Sequence, residues 1–208
     1  MNFDLDMTDE LLATTRAVRK RLDLTKPVPR EVILECLRLA VQAPTGSNSQ
    51  GWRWLIIDEP EKKQALAEMY RVSGEAYLTA GFDDADDQTK RVQSSAVYLM
   101  EHLAEVPVHV IPCIKGKLGD DVPAAMAAGY FGSIFPAVWS FQLALRARGL
   151  GSTLTTLHLP KQDEAAKLLG IPDDVQQCAL LPVAYTLGTD FKRAERPPIE
   201  HIVHWNSW

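Results

Sequence analysis

The stretch AAMAAGYFGSIFPAVWSFQLALRAR, residues 124 to 148, is apolar nearly all the way round a helical wheel. A helix of that kind cannot lie on a water-facing surface and has to be covered on all sides. It predicts a central buried helix from Pro123 to about Arg148, kinked near Pro136, where a proline removes a backbone donor. The glycines of GLG at 149 to 151 fit its C-terminal cap. The rest of the chain has to supply the layers that enclose it.

Those layers are helices and strands in alternation. Met7 to Arg21 predicts a first helix with Thr8 as N-cap, and REVILECLRLAVQA predicts a second, its apolar stripe Val32, Ile33, Cys36, Leu37, Ala40 and Val41 stopped by Pro44. WRWLIID (52–58) reads as a strand and PEKKQALAEMYR as a third helix with Pro60 at its start. Val72 to Gln88 is irregular. Its acidic run FDDADD lacks the Gly and closing Glu of a calcium loop and reads as a solvated loop or lid. RVQSSAVYLMEHLAEV predicts a helix, and the two prolines of PVHVIPCIKG favour an edge strand. LPKQDEAAKLLG reads as a short helix and CALLPVAYTLG as a buried strand. The tail TDFKRAERPPIEHIVHWNSW is too apolar at Ile199, Ile202, Val203, Trp205 and Trp208 to stay in water, so it folds back or packs on another subunit. Without repeats or a clean boundary, 208 residues make one layered α/β or α+β domain.

Composition narrows the function. At 46% hydrophobic and 24% charged the chain is an ordinary globular one, and its net charge of −5 argues against a general nucleic-acid binder. Acids stand among the first apolar residues, and no segment reaches about 18 consecutive apolar residues, so the expectation is a cytosolic protein with no membrane partner. Cys36, Cys113 and Cys178 are odd in number and each lies in an apolar run, which predicts buried free thiols.

Three segments carry chemistry-bearing side chains. In QAPTGSNSQGW, Pro44, Thr45, Gly46, Ser47, Asn48 and Gln50 offer hydroxyl, amide and close backbone approach to a polar, planar or phosphorylated ligand, unless the loop merely satisfies its own backbone. Arg16, Arg19, Lys20 and Arg21 form a basic cluster, and Arg193 and Arg196 precede a proline pair in the tail. A phosphate pocket in an acidic protein would gather such cations from distant segments, although basic clusters are commonly solvated faces.

In order along the chain, TRAVRKRLDLTKPVP, AVQAPTGSNSQGWRWLII, LALRARGLGSTLTT and LPVAYTLGTDFKRAERPPIEHIVHW resemble the FMN-dependent nitroreductase family over about residues 14 to 205. The resemblance implies a three-layer α/β/α fold of the α+β class around a central mixed, mainly antiparallel sheet. It also implies a homodimer in which residues 189 to 208 form an arm exchanged between subunits. Two FMN molecules would lie at the interface. Arg16, Ala17, Arg19 and Lys20 would hold the flavin phosphate and pyrimidine edge; the loop Pro44–Asn48 with Gln50 would reach the flavin from the other subunit. Ser152, Thr153, Leu154, Thr155 and Thr156 would present backbone N–H groups to the ring, and Arg193 and Arg196 would close on the phosphate. Lys90 and Arg91 are candidates for the pyrimidine end. Ala17 stands where many members have Ser, and Gly51 where they have Pro. NADH or NADPH would then reduce the flavin, and a nitroaromatic, quinone or similar small-molecule acceptor would reoxidise it, with no catalytic side chain of its own.

Rival readings find less support. Gly149 and Gly151 follow a helix and lack the third glycine of a dinucleotide fingerprint, no Walker or G-x-S-x-G motif occurs, and the two histidines of EHIVH lack a third ligand. The alternatives that remain are a flavin-fragmenting or reductive dehalogenase enzyme of the same fold, or a flavin-binding module that stores or senses without turnover.

Overall fold

The computed structural model describes residues 3–80, 85–119 and 121–208. Among these residues β1 (Trp52–Ile57), β2 (Val108–Lys115), β3 (Leu150–Ser152), β4 (Val175–Gln177) and β5 (Leu181–Tyr185) form one sheet in the order β1-β2-β5-β3, with β4 also paired to β2. Each strand pair is antiparallel. Parallel contacts occur as isolated bridges, such as Ala17 with Ser152. The helices are α1 (Leu5–Thr14), α2 (Arg30–Ala40), α3 (Pro60–Leu78), α4 (Asp87–His102), α5 (Ala124–Gly132), α6 (Phe135–Arg146) and α7 (Gln162–Leu169).

Side chains of β2 alternate between two cores, as a period of two requires. Ile111 and Cys113 face Leu66 and Tyr70 of α3, Leu99 of α4 and Ala165 of α7. Val110 and Ile114 face Ile33 and Cys36 of α2 and Phe141 and Leu145 of α6. This is the expected α/β/α layering of an α+β domain. The three cysteines are buried and free.

Four expectations fail for identifiable reasons. β2 is central, between β1 on one side and β4 and β5 on the other. Its Pro112 is tolerated because its carbonyl accepts from Cys178 N (2.9 Å), so the missing N–H falls on that same side, in the gap between the spans paired to β4 and β5. The first helix starts earlier, with Asp4 Oδ1 accepting from Met7 N (3.0 Å), and stops at Thr14 because the next residues pair with β3 instead. The third helix runs on to Leu78, since Tyr70, Gly74 and Leu78 continue its buried stripe, and α4 begins at Asp87 with Asp86 as cap. Asp86 and Asp87 of the acidic run therefore belong to a helix start; Phe82, Asp83 and Asp84 lie outside the described residues.

The long apolar segment is two helices, not one kinked one. The chain turns at Ser133 and Ile134, and Pro136 sits in the first turn of α6, where its lack of an N–H costs nothing. α6 is buried as expected, whereas no residue of α5 is buried. The stretch Ala124–Arg146 has a mean hydropathy of 1.2, enough for a membrane span by length and composition, but its two helices are 9 and 12 residues long. The tail keeps Ile199, Ile202, Trp205 and Trp208 exposed.

Candidate functional site

After α1 the chain passes beside β3 in extended form. Val18 N donates to Ser152 O (2.9 Å). Gly151 makes this approach possible, because a Cβ there would stand 2.7 Å from Thr186 Cγ2 and 2.9 Å from Val18 Cβ. The pairing brings the basic cluster and residues 152 to 156 together in one chain. It also divides the cluster. Arg16 turns to the start of the tail and donates to Lys192 O (2.8 Å), while Arg19 and Lys20 turn to α4, reaching Ser95 Oγ (3.4 Å) and Ser94 Oγ (2.7 Å). Arg21 is paired with Asp190 (2.6 Å).

Arg19 opens onto a cleft of about 360 Å³ between α3, α4 and residues 154 to 157. Among the described residues no Asp, Glu, His or Cys lines it. Arg19 is partly buried and, among the described residues, has no carboxylate within ion-pair distance. Burial pulls its pKa below the ordinary value and the Tyr70 hydroxyl opposes that pull, but a guanidinium stays charged throughout. A cation partly withdrawn from water without a counter-ion is costly, and an anion or a strong acceptor oxygen in the cleft would offset the cost.

The neighbouring segment sorts its residues. Ser152 O is used by Val18, and Ser152 Oγ accepts from Gln142 Nε2 (3.0 Å). Thr153 is buried and its hydroxyl has no partner among the described residues. Leu154, Thr155 and Thr156 line the cleft. Thr155 departs from expectation: its N–H donates to Leu180 O (3.0 Å), so it cannot serve a ligand, and its hydroxyl donates to Tyr70 Oη (3.1 Å). Tyr70 itself is a site residue that sequence reading missed, since its position in the apolar stripe of α3 marks it only as core.

The loop of residues 44 to 50 lies elsewhere in the chain. Gly46 N donates to Ser133 Oγ (2.9 Å), after α5, and no loop residue lines the Arg19 cleft. Pro44, Asn48 and Gln50 border a separate depression of about 550 Å³ with Trp52 and Arg53. The loop does satisfy part of its own backbone: Gln50 N donates to Thr45 Oγ1 (3.1 Å) and Asn48 N to Thr45 O (3.0 Å). Yet Ser47, Asn48 and Gln50 have φ of 51°, 51° and 49°, a left-handed conformation that costs about 1 kcal/mol or more for each side chain with a Cβ. In the tail, Arg196 donates to the adjacent Glu195 O (3.0 Å) and Arg193 comes no closer than 4.0 Å to Glu10. Lys90 and Arg91 lie on α4 with Lys20 at the edge of a second depression, outside the cleft.

A three-layer α+β domain with an arginine-lined cleft beside its three-residue edge strand β3 is the class that fold and site define. The nitroreductase family profile matches residues 12–185, and the chain belongs to that family. It is similar to an iodotyrosine deiodinase of Thermotoga neapolitana, 27% identical over 95% of this chain and 97% of that one. An NADH dehydrogenase of Thermus thermophilus is 26% identical over 97% of this chain and 100% of its own. A solved oxidised iodotyrosine deiodinase bound to FMN and 3-iodo-L-tyrosine is 24% identical with a TM-score of 0.73, covering 96% of this chain and 98% of that one.

Proposed function

We propose that this chain is an FMN-dependent oxidoreductase that takes electrons from NADH or NADPH and passes them to a quinone, nitroaromatic or similar acceptor in two half-reactions. The carrying observation is Arg19, a partly buried cation that has no counter-charge among the described residues and faces a cleft able to admit a planar ring. The residues fit a flavin in kind. Arg19 would hold its electron-rich pyrimidine edge, the Thr153 hydroxyl, without a partner among the described residues, is a donor close by, and Arg16, which turns away from Arg19 towards the tail, would take the phosphate together with Arg193 and Arg196. Bound flavin supplies hydride transfer. The chain's part is to orient the ring, to favour the reduced anionic form by the charge of Arg19, and to shelter the acceptor from water.

A homodimer completes this reading. An apolar helix without a buried residue, an exposed apolar tail and a strained polar loop outside the cleft all support a second copy that brings Thr45, Gly46, Ser47, Asn48 and Gln50 to its mate's flavin. A second reading, reductive dehalogenation at the same cleft, is favoured by the similarity to the Thermotoga deiodinase.

The test is direct. Purified protein should be yellow, release FMN on denaturation, bleach anaerobically with NADH or NADPH, and recover colour on adding a quinone or nitroaromatic. Colourless protein that cannot be reconstituted refutes the proposal, and recovery with a halophenol alone selects the second reading.

A further inference from the structure

Besides Arg19, most polar groups that line the cleft are engaged or face water. Gln93 Nε2 donates to Leu78 O and Ala80 O, each at 3.0 Å, and Thr89 Oγ1 to Asp86 Oδ2 at 3.0 Å; Tyr77 and Thr156 are exposed. Thr155 is committed within the chain at every polar group. Its N–H donates to Leu180 O, its carbonyl accepts from Leu180 N (2.8 Å), and its hydroxyl donates to Tyr70 Oη (3.1 Å).

Tyr70 differs from all of these. It is only 2% exposed, its oxygen accepts from Thr155, and among the described residues its own hydrogen meets no acceptor. A phenol withdrawn from water has to donate somewhere, and Tyr70 lines the same cleft as Arg19. The two main-chain bonds to Leu180 hold Thr155, and Thr155 in turn claims one side of the phenol oxygen, so the O–H is directed away from Thr155. Burial raises the Tyr70 pKa above its usual value, with Thr155 and the Arg19 charge opposing, and the phenol keeps its proton at neutral pH.

We infer that Tyr70 is a second hydrogen-bond donor, beside Arg19, to the electron-rich pyrimidine edge of a flavin in the cleft, and that Thr155 is the positioning residue that aims it. The inference rests on the flavin reading of the cleft. Arg19 brings charge and Tyr70 a directed O–H. The two act differently on the oxidised and reduced cofactor. A bond from a neutral phenol to a charged acceptor is roughly twice as strong as one to a neutral acceptor, so Tyr70 holds the reduced, anionic flavin more firmly than the oxidised one. The Thr155 hydrogen on the phenol oxygen polarises the Tyr70 O–H and makes it the better donor.

The test reads binding and potential, not turnover. FMN is titrated into apoprotein by fluorescence, and the two-electron potential of the bound flavin is measured against a reference dye. Tyr70→Phe should weaken binding of reduced FMN about tenfold more than binding of oxidised FMN, which lowers the potential by about 30 mV. Thr155→Val should lower it by a smaller amount, and Thr155→Ser should restore the wild-type value. A wild-type potential in a Tyr70→Phe protein with unchanged circular dichroism overturns the inference. If Tyr70→Phe does not fold, equal potentials in Thr155→Val and Thr155→Ser overturn it. Wild-type protein that binds no FMN refutes the flavin reading itself, and the inference with it.

Discussion

Two buried histidines make the protein acid-labile in a window that lies mostly above that of its carboxylates. His109 on β2 is wholly buried; one ring nitrogen meets Leu103 O at 2.8 Å and Nδ1 has no partner. His158 is also wholly buried; among the described residues neither nitrogen makes a well-formed hydrogen bond, and the Gln177 side chain is its polar neighbour. Burial lowers both pKa values from 6.5 to about 4; the Leu103 carbonyl and Gln177 oppose the shift, while Lys63 and the neighbouring His158 add to the lowering at His109. The folded pKa lies below the unfolded one, so the folded state binds fewer protons and stability is lost as pH falls from 6.5 towards 4. At pH 5 each histidine subtracts about 2 kcal/mol, and the pair about 4 kcal/mol. That is a large share of the roughly 5–15 kcal/mol that holds a domain together. The lowered aspartates Asp23, Asp58, Asp86 and Asp190 act mainly near and below their ordinary pKa of 3.8, under this window, and the exposed Glu68, lowered from 4.5 by Arg71, touches only its lower edge. Urea unfolding followed by tryptophan fluorescence at pH 7.5 and pH 5.0, at one protein concentration, should show the drop, and His158→Gln should halve it. A loss under about 1 kcal/mol, or an unchanged loss in the variant, would refute the reasoning.

Two further outcomes follow from the site. Gly151→Ala should lower stability by about 1–3 kcal/mol and loosen flavin binding, because its Cβ forces the 16–20 segment away from β3; a thermal melt and a flavin titration check both. Arg196→Ala should weaken FMN retention roughly tenfold without changing the circular dichroism, since among the described residues its hydrogen bond is to the adjacent carbonyl, and unchanged affinity removes Arg196 from the site.

The layered class, the helices α2, α6 and α7, the buried thiols and the family were legible from apolar periodicity and from four ordered motifs, because each depends on residues close in sequence. The edge position given to β2 was wrong for a reason no local pattern holds: whether a proline breaks a ladder depends on which neighbour its missing N–H would face, and here a gap between β4 and β5 lies opposite Pro112. Likewise the first helix stops at Thr14 because of an attraction between residues 17 and 152 that propensity does not record.

The site divides in the same way. The sequence by itself determined the kinds of group available: arginines before and after the core, a small polar loop, and a run of threonines after GLG. Only the tertiary structure decided that Arg16 and Arg19 turn away from each other, that Thr155 spends its N–H on Leu180, and that its hydroxyl goes to Tyr70. Direction and pairing of this sort arise from strand register and from contacts over more than eighty residues of chain, and a one-dimensional pattern carries neither.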